Sequence, residues 1–355
     1  MQREEYIAQF QSECYLPAAS TAMNRYMTSY ADHAEQIHKT IIGQFDAFSR
    51  CITRLQERKL MDAVHSVALS FPYSSLLCNN PCMMFEVYPD FPFFAPHQLQ
   101  EIFSAPWVFP DWNDFYEDLL SRTQKLGLGT VVRTPYIKST MWETARYVLH
   151  FVSTFVKTQM VDVEHLSSFR AMKKADTFRI TFGEYMDWQR LIYAQLPQID
   201  IFNCEEHESL SFRVFCSAVY ENKTFENLQL DDARFDSCTF RNCLFKGVKF
   251  WDAKFEGCDF EDCQFEQVRL DGARFSGSKL KNIVMSEIKT NCMIPDPDTI
   301  LGGFTTTDFV NCFLENLSIT KSDYSASQFQ GCQAKNLTAD TSELSSSLEL
   351  LLAQG

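Results

Sequence analysis

From Phe225 to Met285 every fifth residue is bulky and apolar, and neither an α-helix nor a flat strand has that period. The series is Phe225, Leu230, Phe235, Phe240, Phe245, Phe250, Phe255, Phe260, Phe265, Leu270, Phe275, Leu280 and Met285. Two places before these centres lies a second inward position, held by Ala233, Cys238, Cys243, Val248, Ala253, Cys258, Cys263, Val268 and Ala273 among others. A helix repeats its faces about every 3.6 residues and a strand every second residue. A spacing of five instead describes a chain that turns a corner each quintet. Each side of the resulting square sends one large and one small side chain inward.

If four sides close one coil, residues twenty apart stack in columns. The small position gives Ala218, Cys238, Cys258 and Ser278; Lys223, Cys243, Cys263 and Ile283; Leu228, Val248, Val268 and Ile288; and Ala233, Ala253 and Ala273. The first and last columns are small and the third is branched, so the four faces differ and the true period is twenty. The quintets Asp232-Ala-Arg-Phe-Asp, Asp252-Ala-Lys-Phe-Glu and Gly272-Ala-Arg-Phe-Ser resemble the pentapeptide-repeat family. The resemblance covers about a third of the chain. It implies a right-handed quadrilateral β-helix over residues 216–340, entered through a junction at 201–215, and a binding surface rather than an active site.

Past Thr290 the register breaks, then resumes with centres at Phe304, Phe309, Leu314, Ile319, Tyr324 and Phe329. Aligning Leu317 with Ile288 predicts a nine-residue insertion near 291–301 and puts Cys312 and Cys332 on the second face. The inserted Pro and Asp residues mark an excluded loop. Just under six coils at ~4.8 Å per strand make a rod of roughly 28 Å. Open ends of such a stack invite pairing with other chains. Residues 341–355, with Leu344, Leu348, Leu351 and Leu352 at helical spacing, are expected to form a C-terminal capping helix, or alternatively a homodimer seam.

The 13 cysteines match neither a secreted disulfide scaffold nor paired zinc ligands. Cys238, Cys243, Cys258, Cys263, Cys312 and Cys332 fall at the small inward position, which makes them packing residues. The expected core therefore includes Phe235, Phe245, Phe255, Phe265 and Phe275 with Cys243 and Cys263, and no metal or cofactor is expected. Cys78 and Cys82 alone do not make a four-ligand site. The longest apolar stretch, Tyr147 to Val156, is interrupted by His150, Ser153 and Thr154, too polar to span a bilayer. No secretion signal opens the chain, so a cytoplasmic location is expected.

Residues 1–200 lack the quintet register and read as a mainly α-helical domain. Met23, Met27, Tyr30, Ala34, Ile37, Ile41, Phe45, Phe48, Ile52 and Leu55 trace one stripe of a long helix over 20–59. That helix is expected to pack on another helix or on a second copy. Further helices are predicted near 111–126, 139–158 and 183–196, with an irregular aromatic connector over 71–112. No HExxH, GxSxG or phosphate-loop spacing occurs, and His33 and His38 point to different helix faces. The chain is not expected to be an enzyme.

The net charge of −14 invites comparison with acidic β-helices that mimic duplex DNA on topoisomerases, an activity the family resemblance allows. The distribution opposes it. Residues 221–290 carry 13 acids and 11 bases, whereas a phosphate mimic needs runs of one sign. Glu221, Arg241, Glu261 and Lys281 alternate along one outward column, as do Glu226, Lys246 and Glu266. The preferred expectation is an adaptor for a protein partner of unknown identity, with no nucleic acid or membrane contact, and with gyrase binding or protection as the alternative. The partner-binding residues proposed from sequence are Lys249, Trp251, Arg269 and Lys289 on the third face, with Asp296 and Asp298 in the insertion. That basic column does not alternate, and Trp is favoured at binding hot spots.

Overall fold

Ile37, Ile41, Phe45, Phe48 and Ile52 recur at helical spacing, and each is buried in a helix of a two-unit protein. The computed structural model describes residues 3–78, 80–90, 96–203, 209–290, 306–340 and 342–354. The units are Met1–Tyr193 and Ala194–Gly355.

The first unit is mainly helical. Helix α1 joins Arg3–Gln9, a π-helical stretch Phe10–Tyr15 and Leu16–Asp32; α2 is Ala34–Glu57, α3 is Trp112–Lys125 and α4 is Thr134–His165. Pro135 lies in the first turn of α4, where its missing N–H costs nothing. The single helix expected over 20–59 is two, because His33 leaves helical geometry (φ −113°, ψ 14°).

A five-stranded sheet replaces the expected connector. Its strands are β1 Val64–Phe71, β2 Cys82–Tyr88, β3 Leu99–Ser104, β4 Lys174–Glu184 and β5 Gln189–Gln195, in the order β3-β2-β1-β4-β5. β1 and β4 pair in parallel, and β2 is antiparallel to both β1 and β3. Pro81 and Pro89 bracket β2, so the strands hide between chain breakers. The helix expected over 183–196 is the β4–β5 hairpin, whose apolar spacing imitates a helix. The α2 stripe packs, as expected, on another helix, α4, and its phenylalanines also meet this sheet: Phe48 stacks on Phe85 of β2 at 4.4 Å and Phe45 meets it edge-on at 5.0 Å. The stripe is thus buried within the chain, not left over as a dimer seam.

In the second unit each central residue pairs in parallel with the one twenty positions on, as in Phe235↔Phe255, Phe240↔Phe260 and Phe245↔Phe265. The fourth face stacks Phe215, Phe235, Phe255, Phe275, Phe309 and Phe329 with centroids 4.5 to 5.0 Å apart. Phe235, Phe245, Phe255, Phe265, Phe275, Cys243 and Cys263 are all buried. Each inward thiol donates to a central carbonyl of the coil below: Cys243 Sγ to Tyr220 O at 3.3 Å, Cys263 Sγ to Phe240 O at 3.4 Å, and Ser278 Oγ takes the same role on Phe255 O at 3.1 Å. Hydrogen bonding from the stacked partner, and then burial, push the thiols of Cys258, Cys263 and Cys312 upward, keeping them protonated.

The insertion is longer than expected. Arg274 pairs with Asp308, a separation of 34 where Arg234 and Lys254 keep 20, so 14 extra residues enter between Thr290 and Thr307. Leu317 therefore stacks on Ile283 of the second face, and Cys312 follows Ser278 on the first. Residues 291–305, which hold Asp296 and Asp298, lie outside the described residues. Quintet pairing continues to Glu343, and the terminal helix α5, Ser346–Gln354, starts after it. Leu348 and Leu351 of α5 are buried on the coil core, so this Leu stripe too is used inside the chain. At the opposite end Phe202 lies against Phe225 and Tyr220 at 5.0 and 6.0 Å.

Two outcomes follow from this packing. Phe255→Ala should destabilise the second unit by ~3 to 5 kcal/mol in urea unfolding, because rings above and below cannot close the void; a loss under about 1 kcal/mol would contradict the stacked register. In the first unit, burial and then Arg190 and Arg146 lower the His150 pKa to about 4. An unfolded His titrates near 6.5. The folded value is the lower, so stability is complete above about pH 6.5 and is lost as the pH falls toward 4. Between pH 7 and 5 the native protein should lose about 1 to 2 kcal/mol more than His150→Phe. Equal losses would show that His150 does not carry the linkage.

Candidate partner-binding face

The corner that separates faces lies two places after each centre, and there the backbone is left-handed, as at Asn222, Asp232, Asn242, Asp252 and Asp262. Between corners only the residues flanking a centre can point outward, so the sequence fixes which side chains form outer columns.

Along the first face the outer column runs Glu221, Arg241, Glu261, Lys281, Glu315 and Lys335. Arg241 reaches Glu221 at 3.0 Å, Lys281 reaches Glu261 at 2.8 Å, and Lys335 reaches Glu315 at 2.9 Å. On the second face Lys246 reaches Glu226 at 3.5 Å. An amide ladder fills the corner between them, with Asn242 donating to Asn222 at 2.6 Å, Asn282 to Asp262 at 2.8 Å, Asn316 to Asn282 at 2.7 Å and Asn336 to Asn316 at 2.9 Å. These columns satisfy themselves.

The third face behaves differently. Isolated bridges place Gln229, Lys249, Arg269, Lys289, Asp323 and Glu343 in one column. Lys249 Nζ and Arg269 Cζ lie 5.3 and 5.4 Å from the Trp251 ring centroid, within cation–π range. Arg269 also donates to Asp271, Nε to Oδ2 at 2.9 Å and Nη2 to Oδ1 at 3.4 Å. Asp271 is only 2% exposed, and Trp251 Nε1 is buried without an acceptor among the described residues. The structure thus brings Lys249, Trp251, Arg269 and Lys289 together. It makes the first three a half-buried brace, while Lys289 is exposed.

Asp323 and Glu343 were not expected here. The nine-residue alignment hid them, since Ile283 and Ile288 are equally good matches for Leu317. The stacked Phe275, Phe309 and Phe329 carried the signal that decides between the two. The fourth-face column Arg234, Lys254 and Arg274 is basic too, and is partly neutralised, with Arg234 reaching Glu256 at 3.0 Å.

One group in the first unit has the residue types of a hydrolase and the wrong order. Ser70 donates to the buried Glu86 at 2.8 Å, and His97 Nδ1 stands 3.8 Å from the other carboxylate oxygen. The carboxylate separates serine from histidine, so the imidazole cannot deprotonate the hydroxyl. Among the described residues no three His, Cys, Asp or Glu side chains are placed to share a metal ion, and no helix is long and apolar enough to cross a membrane.

Residues 219–293 match the family described as "Pentapeptide repeat region". The second unit is a pentapeptide-repeat β-helix. The family match leaves Met1–Tyr193 outside it, and no curated protein matches the chain. Solved structures similar to the chain include QnrB1, a plasmid-mediated fluoroquinolone resistance protein, at 16% identity over 41% of this chain and 97% of that one, with a TM-score of 0.17. Another is the pentapeptide repeat protein Rfr23 from the cyanobacterium Cyanothece 51142, at 10% identity over 37% and 92%, with a TM-score of 0.15. HetL from Nostoc sp. strain PCC 7120, involved in heterocyst differentiation regulation, shares 8% over 38% and 84%, with a TM-score of 0.11. The assignment rests on the twenty-residue register and the family match, not on these likenesses.

The brace around Trp251 predicts a stability effect. Arg269→Glu sets two carboxylates side by side and should cost about 2 to 4 kcal/mol in urea unfolding, since it leaves Asp271 buried and uncompensated. Arg269→Glu combined with Asp271→Arg should recover part of that loss, and no recovery would refute the pairing.

Proposed function

We propose that the protein is a non-enzymatic adaptor whose pentapeptide-repeat β-helix holds a rigid face against a protein partner. The carrying observation is the third-face column. Where the outer columns of the first and second faces alternate in sign, this one stacks Lys249, Arg269 and Lys289 and then turns acidic at Asp323 and Glu343. Only Arg269 in the basic half has a carboxylate of its own face within hydrogen-bonding distance among the contacts described above. The part of this column from Lys289 through Asp323 to Glu343, exposed at Lys289 and Glu343, is the proposed contact, and a partner surface with acids facing Lys289 and bases facing Glu343 would be complementary to it.

The self-paired column Glu221–Arg241–Glu261–Lys281–Glu315–Lys335 counts against duplex mimicry, which requires unpaired acids in runs. In a gyrase supercoiling assay the purified protein is expected to leave the enzyme and its inhibition by quinolones unchanged. Protection or inhibition would replace the adaptor reading with the topoisomerase one.

Lys289→Glu combined with Glu343→Lys should weaken the complex recovered from the native host about tenfold, roughly 1.4 kcal/mol. Added salt should narrow the difference, and thermal stability should not change. Equal affinity of variant and native protein would refute this placement of the contact.

A further inference from the structure

Helix α4 carries Trp142, Arg146 and His150 at four-residue intervals, which puts them on one stripe. The stripe faces the β4–β5 hairpin. Arg146 Nε stands 3.8 Å from Glu184 Oε2 and its Nη2 3.5 Å from Asp187 Oδ2, while His150 stacks on Trp188 at 4.2 Å. Trp142 packs against Tyr73 with centroids 4.8 Å apart. Tyr73, Trp142, Arg146 and Glu184, with Ser139 and Glu143, line a pocket of about 420 Å³.

Three observations show this corner to be incompletely satisfied by its own chain. Met186, at the hairpin tip between Glu184 and Asp187, is 66% exposed and has a left-handed backbone (φ 62°). A side chain other than Gly or Asn at such an angle costs about 1 kcal/mol, and its exposed thioether returns no burial. Tyr185 beside it is exposed as well. Glu184 Oε2 accepts no hydrogen bond among the described residues, and burial followed by Asp187 raises the pKa of this carboxyl against the lowering by Arg146.

The residue types are those of an interface centre, where Trp, Tyr, Met and Arg are enriched. The charge balance fixes the sign of the occupant. Arg146 is the one cation lining the pocket, against the carboxylates of Glu143 and Glu184, and Asp187 pairs with it from the hairpin, so the pocket has an excess of negative charge next to aromatic faces. We propose that the pocket and the hairpin tip form a protein-docking site that receives a lysine or arginine side chain of a partner. The aliphatic stem lies along Trp142 and Tyr73, the cation meets Glu143 and Glu184, and partner surface covers Met186. This site is in the first unit and stands independently of the β-helix reading.

The test uses the full chain and two small cations, n-butylammonium and methylguanidinium, with acetate as the opposite charge. The Trp142 indole N–H is followed by two-dimensional NMR and assigned with Trp142→Phe. Both cations should shift that resonance saturably, half-maximally at millimolar to tens of millimolar concentration as expected for fragments this small. Glu184→Gln and Glu143→Gln should each weaken binding about fivefold or more, roughly 1 kcal/mol. Saturation by acetate, no saturation by either cation, or binding that survives both substitutions would overturn the proposal. Met186→Gly should keep or raise the melting temperature, because it relieves the left-handed strain. A fall of more than a few degrees would show Met186 to be packed within the fold and would overturn its place in the site.

Discussion

The left-handed corner two places after each centre is the constraint on which the second unit depends. Only a reversal there lets three extended residues be followed by three more at a right angle, and it recurs from Ser217 to Asn336. Asn, Asp and Gly accept that conformation at least cost, which explains Asn222, Asn227, Asp232, Asn242 and Gly247. Gln267, Glu287 and Lys321 occupy it too, held there by backbone hydrogen bonds to the next coil. The corner amides of Gln267 and Glu287 donate to Ser286 and Thr320 of the next coil. Strain at single corners is thus tolerated because the ladder over-determines them.

Exact repetition has a second consequence. Residues twenty apart are held about 4.8 Å apart, so each outward position becomes a ladder whose neighbours must suit one another. Alternating charge and stacked amide satisfy this demand inside the molecule and leave little to offer a partner. The inward positions obey the same rule: Phe stacks on Phe, and a thiol or hydroxyl finds a carbonyl one coil below. The contact proposed above uses a column where the rule is relaxed, the third-face one, basic in its lower coils and acidic above the insertion.

The first unit follows different physics. Its helices are stabilised by a sheet that buries both faces of its central strand, from Val67 and Leu69 to Ala68 and Ser70. Unmatched groups gather at one corner of it, at the hairpin of Glu184 to Trp188. Segregating the chain into a self-satisfied rod and a unit with an under-satisfied, aromatic corner gives two chemically distinct surfaces, one charge-patterned and one aromatic and acidic.

The sequence by itself determined the coil. A period of five with columns at twenty has one geometric solution, and every inward residue from Ala233 to Ile288 could be named from spacing alone. Register across the insertion was not determined, because Leu317 fits Ile283 and Ile288 equally well in size and branching; only the pairing of Phe275 with Phe309 chose between them. Nor could spacing show that Trp251 is flanked by cations on its ring and half-buried, since its neighbours Lys249 and Arg269 look outward until their distances to the ring and to Asp271 are known. In the first unit the helical stripes were legible, as periodicity records which face is buried. The five strands were not, because long-range pairing such as β1 with β4 leaves no local period, and the proline-bracketed β2 resembles a loop. Tertiary structure decided these points for one reason: each depends on a partner outside the local window, β1 on β4 across more than a hundred residues, Phe309 on Phe275 across the insertion and Trp251 on Arg269 of the next coil, where local pattern carries no information.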